Sequence, residues 1–255
     1  MKVGGRAVPG WAPGAAGGAG LLVVWQVVGT ALGENASVPP PTAVLSRIVA
    51  DGAGFYGPNL GQTLREAGWG WLWGNGLAVV LAVVFVQVPA AERALLKVAV
   101  ASYCLPVIAI GPILSVIFSG DTPKITLAAL SVFFTTLIAM IVGLRSAPAA
   151  SLELVHAYGG SSLAALRKVR LVASLPSLFA GLRIAAPAAM LGAIIGEYMG
   201  ADSGLGVAMV NSQQALQIDR TWAIAVVATA TAGALYGLTA LVGRLLTPWA
   251  PKMAR

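Results

Sequence analysis

One cysteine, one histidine and nine acidic residues are all that 255 residues contain of those types, and each scarcity closes off a chemistry. Cys104 has no partner for an internal disulfide, and its place in an apolar run predicts a packed small hydrophobe. His156 alone cannot build a histidine-based metal cluster. No lysine is followed by Ser or Thr, so the phosphate-binding pattern GxxxxGK[ST] is missing, and there is no GxSxG nucleophile elbow. If this chain serves an uphill, ATP-driven process, another chain must hydrolyse the ATP. Strand-like alternation is also missing, which leaves helices as the default for any segment inside lipid.

What is abundant is apolar. Hydrophobic residues make up 58% of the chain against 10% charged, and the mean hydropathy is +0.84, outside the range of a soluble domain. A spanning helix needs roughly 20 apolar residues, and six such runs are predicted, at about residues 18–32, 60–87, 94–118, 125–144, 178–199 and 222–246. The third is expected to be interrupted at Pro106 and at Gly111-Pro112. The 31 glycines suit close helix packing in lipid. The expectation is therefore an all-α, six-span membrane protein forming one domain over residues 1–255.

Basic residues set the orientation. Lys2, Arg6, Arg93, Lys97, Arg145, Arg167, Lys168, Arg170, Arg183, Arg244, Lys252 and Arg255 fall on one side of this layout. Arg47, Arg65, Lys124 and Arg220 fall on the other, together with Glu34, Asp51, Asp121, Asp202 and Asp219. Twelve against four predicts cytoplasmic termini in a prokaryotic inner membrane and makes the net charge of +7 a matter of topology. No solvent-facing basic stripe interleaved with aromatics suggests nucleic acid. Lys2 and Arg6 precede an apolar stretch as in a signal peptide, but no small-x-small site follows, so the first span is expected to stay uncleaved.

One segment breaks the apolar pattern. Residues 153–176 read ELVHAYGGSSLAALRKVRLVASLP: a short helix, a Gly-Gly-Ser-Ser break, a basic helix, then Leu-Pro before the next apolar run. This pattern resembles the EAA loop of bacterial ABC-importer permeases: EAA, three residues, Gly, nine residues, then I-x-L-P. Glu153 opens it, Gly159 follows at the right distance, and Val169 and Leu171 hold the I and L positions. Leu154-Val155 replaces the two alanines, and Val172 stands where proline belongs, with Pro176 available for a later break. Similarity to the nitrate/sulfonate/taurine subfamily extends from about Val24 to Trp249. It includes the Val38-Pro-Pro-Pro-Thr42 turn, Ala180-Gly-Leu-Arg-Ile184, and an acid, Glu197, followed by Gly204-Leu-Gly206.

The resemblance implies a six-span permease with a coupling loop at about residues 145–176. It implies two permease subunits, expected to be a homodimer, two ATP-binding subunits carrying ATP and magnesium, and a solute-binding protein. This chain is expected to bind no cofactor or metal. Pro148 suits a helix start, Leu152, Val155 and Gly159 can share a helix face, and Glu153, His156, Arg167 and Lys168 are free for charged contacts with the ATPase. Candidate pathway or gate residues are Glu197, Tyr103 and Tyr198. Glu197 has two readings: a pathway carboxylate, which would repel an anionic solute, or a tie between the Gly204–Gly206 turn and a neighbouring helix. Gln26, Asn75 and Gln87 are expected to bond between helices, and Asn211–Gln214 to form a loop facing the binding protein. Trp69, Trp71 and Trp73 are expected to spread over two helix sides. A small sulfonate, nitrate or taurine-like solute is the first expectation, and a pyrimidine or flavin vitamin precursor the second. An ion-coupled transporter would need paired intramembrane ionisable groups and inverted repeats, and Glu197 stands alone in the sequence. An intramembrane enzyme would need a nucleophile–base or metal constellation that one His and one Cys do not supply.

Overall fold

The computed structural model describes residues 2–3, 6–7, 12–33, 37–104 and 106–250; for Lys2, Val3, Arg6, Ala7, Ser102 and Cys104 it describes the backbone alone. The expectations for Glu34, Lys252 and Arg255, and for the packing of Cys104, therefore fall outside the described residues and side chains. Apart from a two-residue antiparallel ladder, Lys2–Val3 with Arg6–Ala7, every described element is helical.

The helices are α1 (Ala12–Leu32), α2 (Pro41–Gln87), α3 (Pro89–Cys104), α4 (Val107–Ile117), α5 (Thr122–Arg145), α6 (Ala149–Ala157), α7 (Ser162–Ala165), α8 (Leu171–Glu197), α9 (Leu205–Gln214) and α10 (Ile218–Leu246). A π turn at Leu166–Arg170 joins α7 to α8 without a break. Five of these units are long and apolar enough to cross a membrane: α1, α2, the continuous Ser162–Glu197 helix, α5 and α10.

The expected third span is the exception. It is divided at Pro106 into α3 and α4, because proline restricts the residue before it and has no N–H to donate. Pro112, expected to break it again, sits inside α4 without ending the helix. The divided pair nevertheless runs the length of α5 in the opposite direction. Glu92 at the start of α3 pairs with Arg145 at the end of α5 (2.6 Å), Tyr103 stacks on Phe134 (4.6 Å between centroids), and Gly111 packs near Leu127. From Arg145 to Leu127 is roughly 27 Å at 1.5 Å rise per residue.

Two further boundaries differ from expectation. The second helix begins at Pro41 rather than after Asn59, and turns at Gly52 (φ +64°), a conformation that glycine adopts at little cost. Pro176 does not separate the basic helix from the fifth span, since the helix runs through it. Just before it the Ser174 hydroxyl donates to the Leu171 carbonyl (2.8 Å).

α5 is the central helix, held between α2 and α8 by small residues. A Cβ on Gly74 would lie 2.4 Å from Ala129 O, and one on Gly192 would lie 2.8 Å from both Ala128 Cα and Leu127 O. Gly181 faces Ala139, and Gly196 faces Lys124, so α8 descends along α5 antiparallel. Such backbone approach replaces the hydrophobic drive that lipid does not supply. Asn75 accepts a hydrogen bond from the Thr136 hydroxyl across the α2–α5 contact, and Gln26 bonds the Thr42 hydroxyl (3.2 Å) between α1 and α2. Gln87 accepts from the Ser162 hydroxyl at 3.5 Å. Trp69 and Trp73 are exposed while Trp71 is half-buried, so the set does spread over two sides.

Candidate functional site

The segment between α5 and α8 is built to hold a short helix away from the bundle. Pro148 precedes α6 in extended conformation, and its carbonyl accepts from the Ser151 and Leu152 amides. At the other end Gly159 takes φ +75°, its N–H donates to His156 O (2.9 Å), and the Gly160 N–H donates to Val155 O (2.8 Å). These paired bonds are a Schellman stop. Gly159 supplies the left-handed backbone; Gly160 supplies space, since a Cβ there would sit 2.5 Å from Val155 Cγ1. Ser161 then caps α7 by accepting from the Ala164 amide (3.3 Å). Leu166, 5% exposed, plugs the segment into the core beside Phe85, Leu137 and Leu144.

No residue of α6 is buried. Leu152 and Val155 are half-buried, while Glu153, His156, Gly159, Arg167 and Lys168 are exposed, and His156 Nδ1 lies 2.8 Å from Leu152 O. The most exposed apolar side chains of this segment are others than Leu152 and Val155. They are Leu154 (58% exposed) and Tyr158 (86%), one turn apart.

At the opposite end of α8, Glu197 is 1% exposed and fully engaged. Oε1 accepts from the Thr63 hydroxyl (2.6 Å) and Oε2 from the Gly206 N–H (2.6 Å). Thr63 also accepts from the Leu205 N–H (2.9 Å), and Asn59 Oδ1 from the Gly204 N–H (3.1 Å). Three successive amides at the start of α9 thus find oxygens on α2 and α8, which satisfies groups that a helix leaves open. Gly204 (φ +128°) and Gly206 are required by proximity, because a Cβ on either would fall within 2.8 Å of Glu197. This is the tying reading of Glu197.

Glu197 is not alone, as the sequence suggested. Glu66, 0% exposed, lies on the next turn of α2 and accepts from Gln62 Nε2 (2.8 Å) and from Lys124 Nζ (3.2 Å). Lys124 also pairs with Asp121 (3.1 Å), which Arg65 approaches at 3.7 Å. Burial pushes the Asp121 carboxyl up, but hydrogen bonds from Lys124 and Gln62 and the charges of Lys124 and Arg65 outweigh it, holding it below the ordinary carboxylate range. The signal for this cluster was the pair of charges at Glu66 and Lys124 within otherwise apolar runs. Glu197→Ala is expected to cost on the order of 3 kcal/mol, since two bonds to a buried carboxylate disappear and the Gly206 amide loses its partner. Thermal unfolding of the detergent-purified protein measures it.

The other candidates separate. Tyr198 turns to α9, its hydroxyl 2.6 Å from Met209 Sδ, and Tyr103 is exposed on α3, far along the chain path from Glu197. Asn211–Gln214, expected as a loop, is the last part of α9. Asn211 and Ser212 line a polar cavity of about 330 Å³ with Asn59, Asp202, Gln217 and Arg220. Arg220 is tied there to Asp51 (2.6 Å) and lies over the Phe55 ring. An apolar cavity of about 310 Å³ lies between α2, α8 and α10 beside Trp71 and Phe179. Arg183, grouped with the cytoplasmic cations from sequence, stands inside α8, half-buried near the Tyr236 ring (5.8 Å).

Residues 74–250 match the family described as binding-protein-dependent transport system inner membrane component. The chain belongs to this family. The match takes in the α6 segment, the Glu197 turn and most of the bundle. The permease is 34% identical over 219 residues to a probable ABC transporter permease protein of Haemophilus influenzae, covering 85% of this chain and 89% of the relative. It is 34% identical over 235 residues to the riboflavin transport system permease protein of Chloroflexus aurantiacus, covering 90% and 87%. It is 30% identical over 242 residues to the taurine transport system permease protein of Escherichia coli, again covering 90% of this chain, with 86% of the relative. The permease is therefore a multi-pass inner-membrane transport subunit of an ABC importer rather than an enzyme. Its family implies ATP-binding subunits and a solute-binding protein as partners. The buried ionisable cluster, which by itself would have favoured an ion-coupled transporter, accordingly belongs to an importer permease.

Proposed function

We propose that α6 is the element by which an ATP-binding subunit moves this permease, and that the permease works as a homodimer around the solute pathway. The observation that carries the reading is α6 itself: a helix with defined start and stop, no buried residue, and an outward Leu154–Tyr158 face flanked by Glu153 and His156. An isolated helix this short is marginal in water, so a partner groove is the natural place for its apolar face. Arg167 and Lys168 stand on the π turn just beyond, exposed for charged contacts at the rim. Rigid-body movement of α6 passes to the bundle through Leu166, which is rooted among α2 and α5 side chains. ATP and magnesium are held by the partner, both termini face the cytoplasm with α6, and the apolar outer faces meet lipid. Of the pathway candidates, Tyr103 keeps an exposed side chain and Glu197 and Tyr198 support the fold.

For the solute, the first reading is a small organosulfonate or related oxyanion, supported by similarity to permeases named for taurine and aliphatic sulfonates. The second is a heterocyclic vitamin precursor, supported by similarity to permeases named for riboflavin and formylaminopyrimidine. Uptake into proteoliposomes holding the complete importer separates them. ATP-dependent accumulation of taurine or ethanesulfonate supports the first. Accumulation of riboflavin or a pyrimidine, with none of a sulfonate, replaces it with the second. Native mass spectrometry of the same complex should find two copies of this chain.

A further inference from the structure

Arg183 is a cation in mid-membrane to which the described residues offer no acceptor. It lies roughly 20 Å along the helix from both Arg170 and Glu197, at 1.5 Å rise per residue. That places it close to the midplane of a hydrocarbon core about 30 Å thick. Its Nε is buried without a hydrogen-bond partner, and among the described residues no carboxylate pairs with it. The Tyr236 ring, 5.8 Å from the guanidinium carbon, gives it a cation–π contact. The backbone adds a second open group. Pro187 has no N–H, so the Arg183 carbonyl lacks the donor that a regular helix supplies from four residues on.

An arginine at this depth is costly, and such residues face a bundle interior or a water-filled cavity and find partners there. The carboxylates of this bundle are engaged at its two ends. Glu92 holds Arg145 at the α6 end; Asp51 holds Arg220, Glu66 and Asp121 hold Lys124, and Glu197 accepts from Thr63 at the α9 end. Glu153 lies on α6, Asp202 beyond α8, and Asp219 in the first turn of α10. A second copy in the same orientation brings the same residues at the same depths, so pairing of two permeases supplies no carboxylate either. Lipid phosphates lie too far away, at the membrane surface. The acceptor left is one that travels through the membrane.

Space for such a group lies beside the cation. Leu182 and Ala186, which flank Arg183 on α8, and Leu235, next to Tyr236 on α10, line the apolar cavity of about 310 Å³. A guanidinium presents a fork of donors that suits paired oxygens, and the cavity suits a small apolar body.

We propose that Arg183 lines the solute pathway and binds the anionic group of the transported solute, an organic anion such as an alkylsulfonate whose carbon body rests against the Leu182–Ala186 wall. The inference rests on the importer reading and narrows its solute to anions.

The test is uptake of ethanesulfonate by the complete importer in proteoliposomes, comparing wild type with Arg183→Gln and Arg183→Lys. Arg183→Gln is expected to lose about tenfold or more of the uptake, and Arg183→Lys, which keeps the charge, to recover part of it. Co-purification of the ATP-binding subunit checks that each complex is assembled. A second measurement leaves Arg183 in place: Tyr236→Cys, in a chain carrying Cys104→Ala, should react with a water-soluble methanethiosulfonate, more slowly when ethanesulfonate is present. Undiminished uptake by Arg183→Gln overturns the proposal, as does a Tyr236→Cys thiol that stays unlabelled, which would make this place dry. Uptake of riboflavin but not of ethanesulfonate by the wild type overturns it as well. Failure of the importer reading looks different, because the wild type would then accumulate no solute with ATP and recover no ATP-binding subunit, and the proposal falls with it.

Discussion

Gly159→Pro is expected to remove at least nine-tenths of solute-stimulated ATP hydrolysis while the permease remains inserted and folded in the membrane. Gly159 sits at φ +75°, and proline is fixed near −65°, so the substituted chain cannot make the same turn. The substitution also deletes the N–H that bonds His156 O, one of the two bonds that stop α6. A conflict of this kind costs about 3 kcal/mol or more, which exceeds what a nine-residue helix with no buried side chain can absorb. The damage stays local, because Leu166 still anchors the segment and α8 starts beyond it. Gly159→Ala should act in the same direction and more weakly, since a left-handed alanine costs about 1–2 kcal/mol but keeps the N–H. ATPase assays on reconstituted complex, beside gel filtration of the permease, measure the two effects separately. Normal stimulation in Gly159→Pro would show that the shape of α6 is irrelevant to coupling.

The second large effect concerns assembly of the bundle. Gly192→Leu should abolish recovery of monodisperse permease from membranes. Overpacking a core costs typically 1–3 kcal/mol when side chains can move aside. Here the obstacles are Ala128 Cα and Leu127 O, both 2.8 Å from the first added carbon, so α8 itself would have to leave α5. The neighbouring close approaches at Gly181 and Gly196 would be pulled apart with it, and Lys124, which Gly196 faces, belongs to the buried cluster. Ile184→Leu, on the exposed side of the same helix (52% exposed), is the control and should behave as wild type. Monodisperse, fully active Gly192→Leu protein would mean that α5 and α8 do not pack as described.

Much of this architecture could be read from hydropathy, because a lipid-facing helix must announce itself in sequence. What could not be read was how prolines are tolerated. Pro106 divides a helix, whereas Pro112 and Pro176 are carried inside helices, and a proline in the sequence does not by itself say which will happen. The α6 segment was visible through its charges and the Gly159 spacing, while the exposure of Leu154 and Tyr158 was not. Helical spacing groups Leu152 with Val155, but it does not say how far each side chain of the helix is exposed. Glu197 was noticed as an isolated acid because its partner Thr63, and the Glu66–Lys124 pair one turn along α2, come from other helices and converge only after folding. A buried pair distributed over separate spans has no local pattern to recognise.

The most direct test of the coupling assignment is co-purification of the ATP-binding subunit with tagged permease from gently solubilised membranes, comparing wild type with Leu154→Glu and Glu153→Arg. Both substitutions lie on the exposed side of α6 and should leave the bundle intact. The account predicts stoichiometric recovery of the ATPase with the wild-type permease and loss of most of it with either variant. Undiminished recovery with both variants would contradict the assignment of α6 as the docking helix.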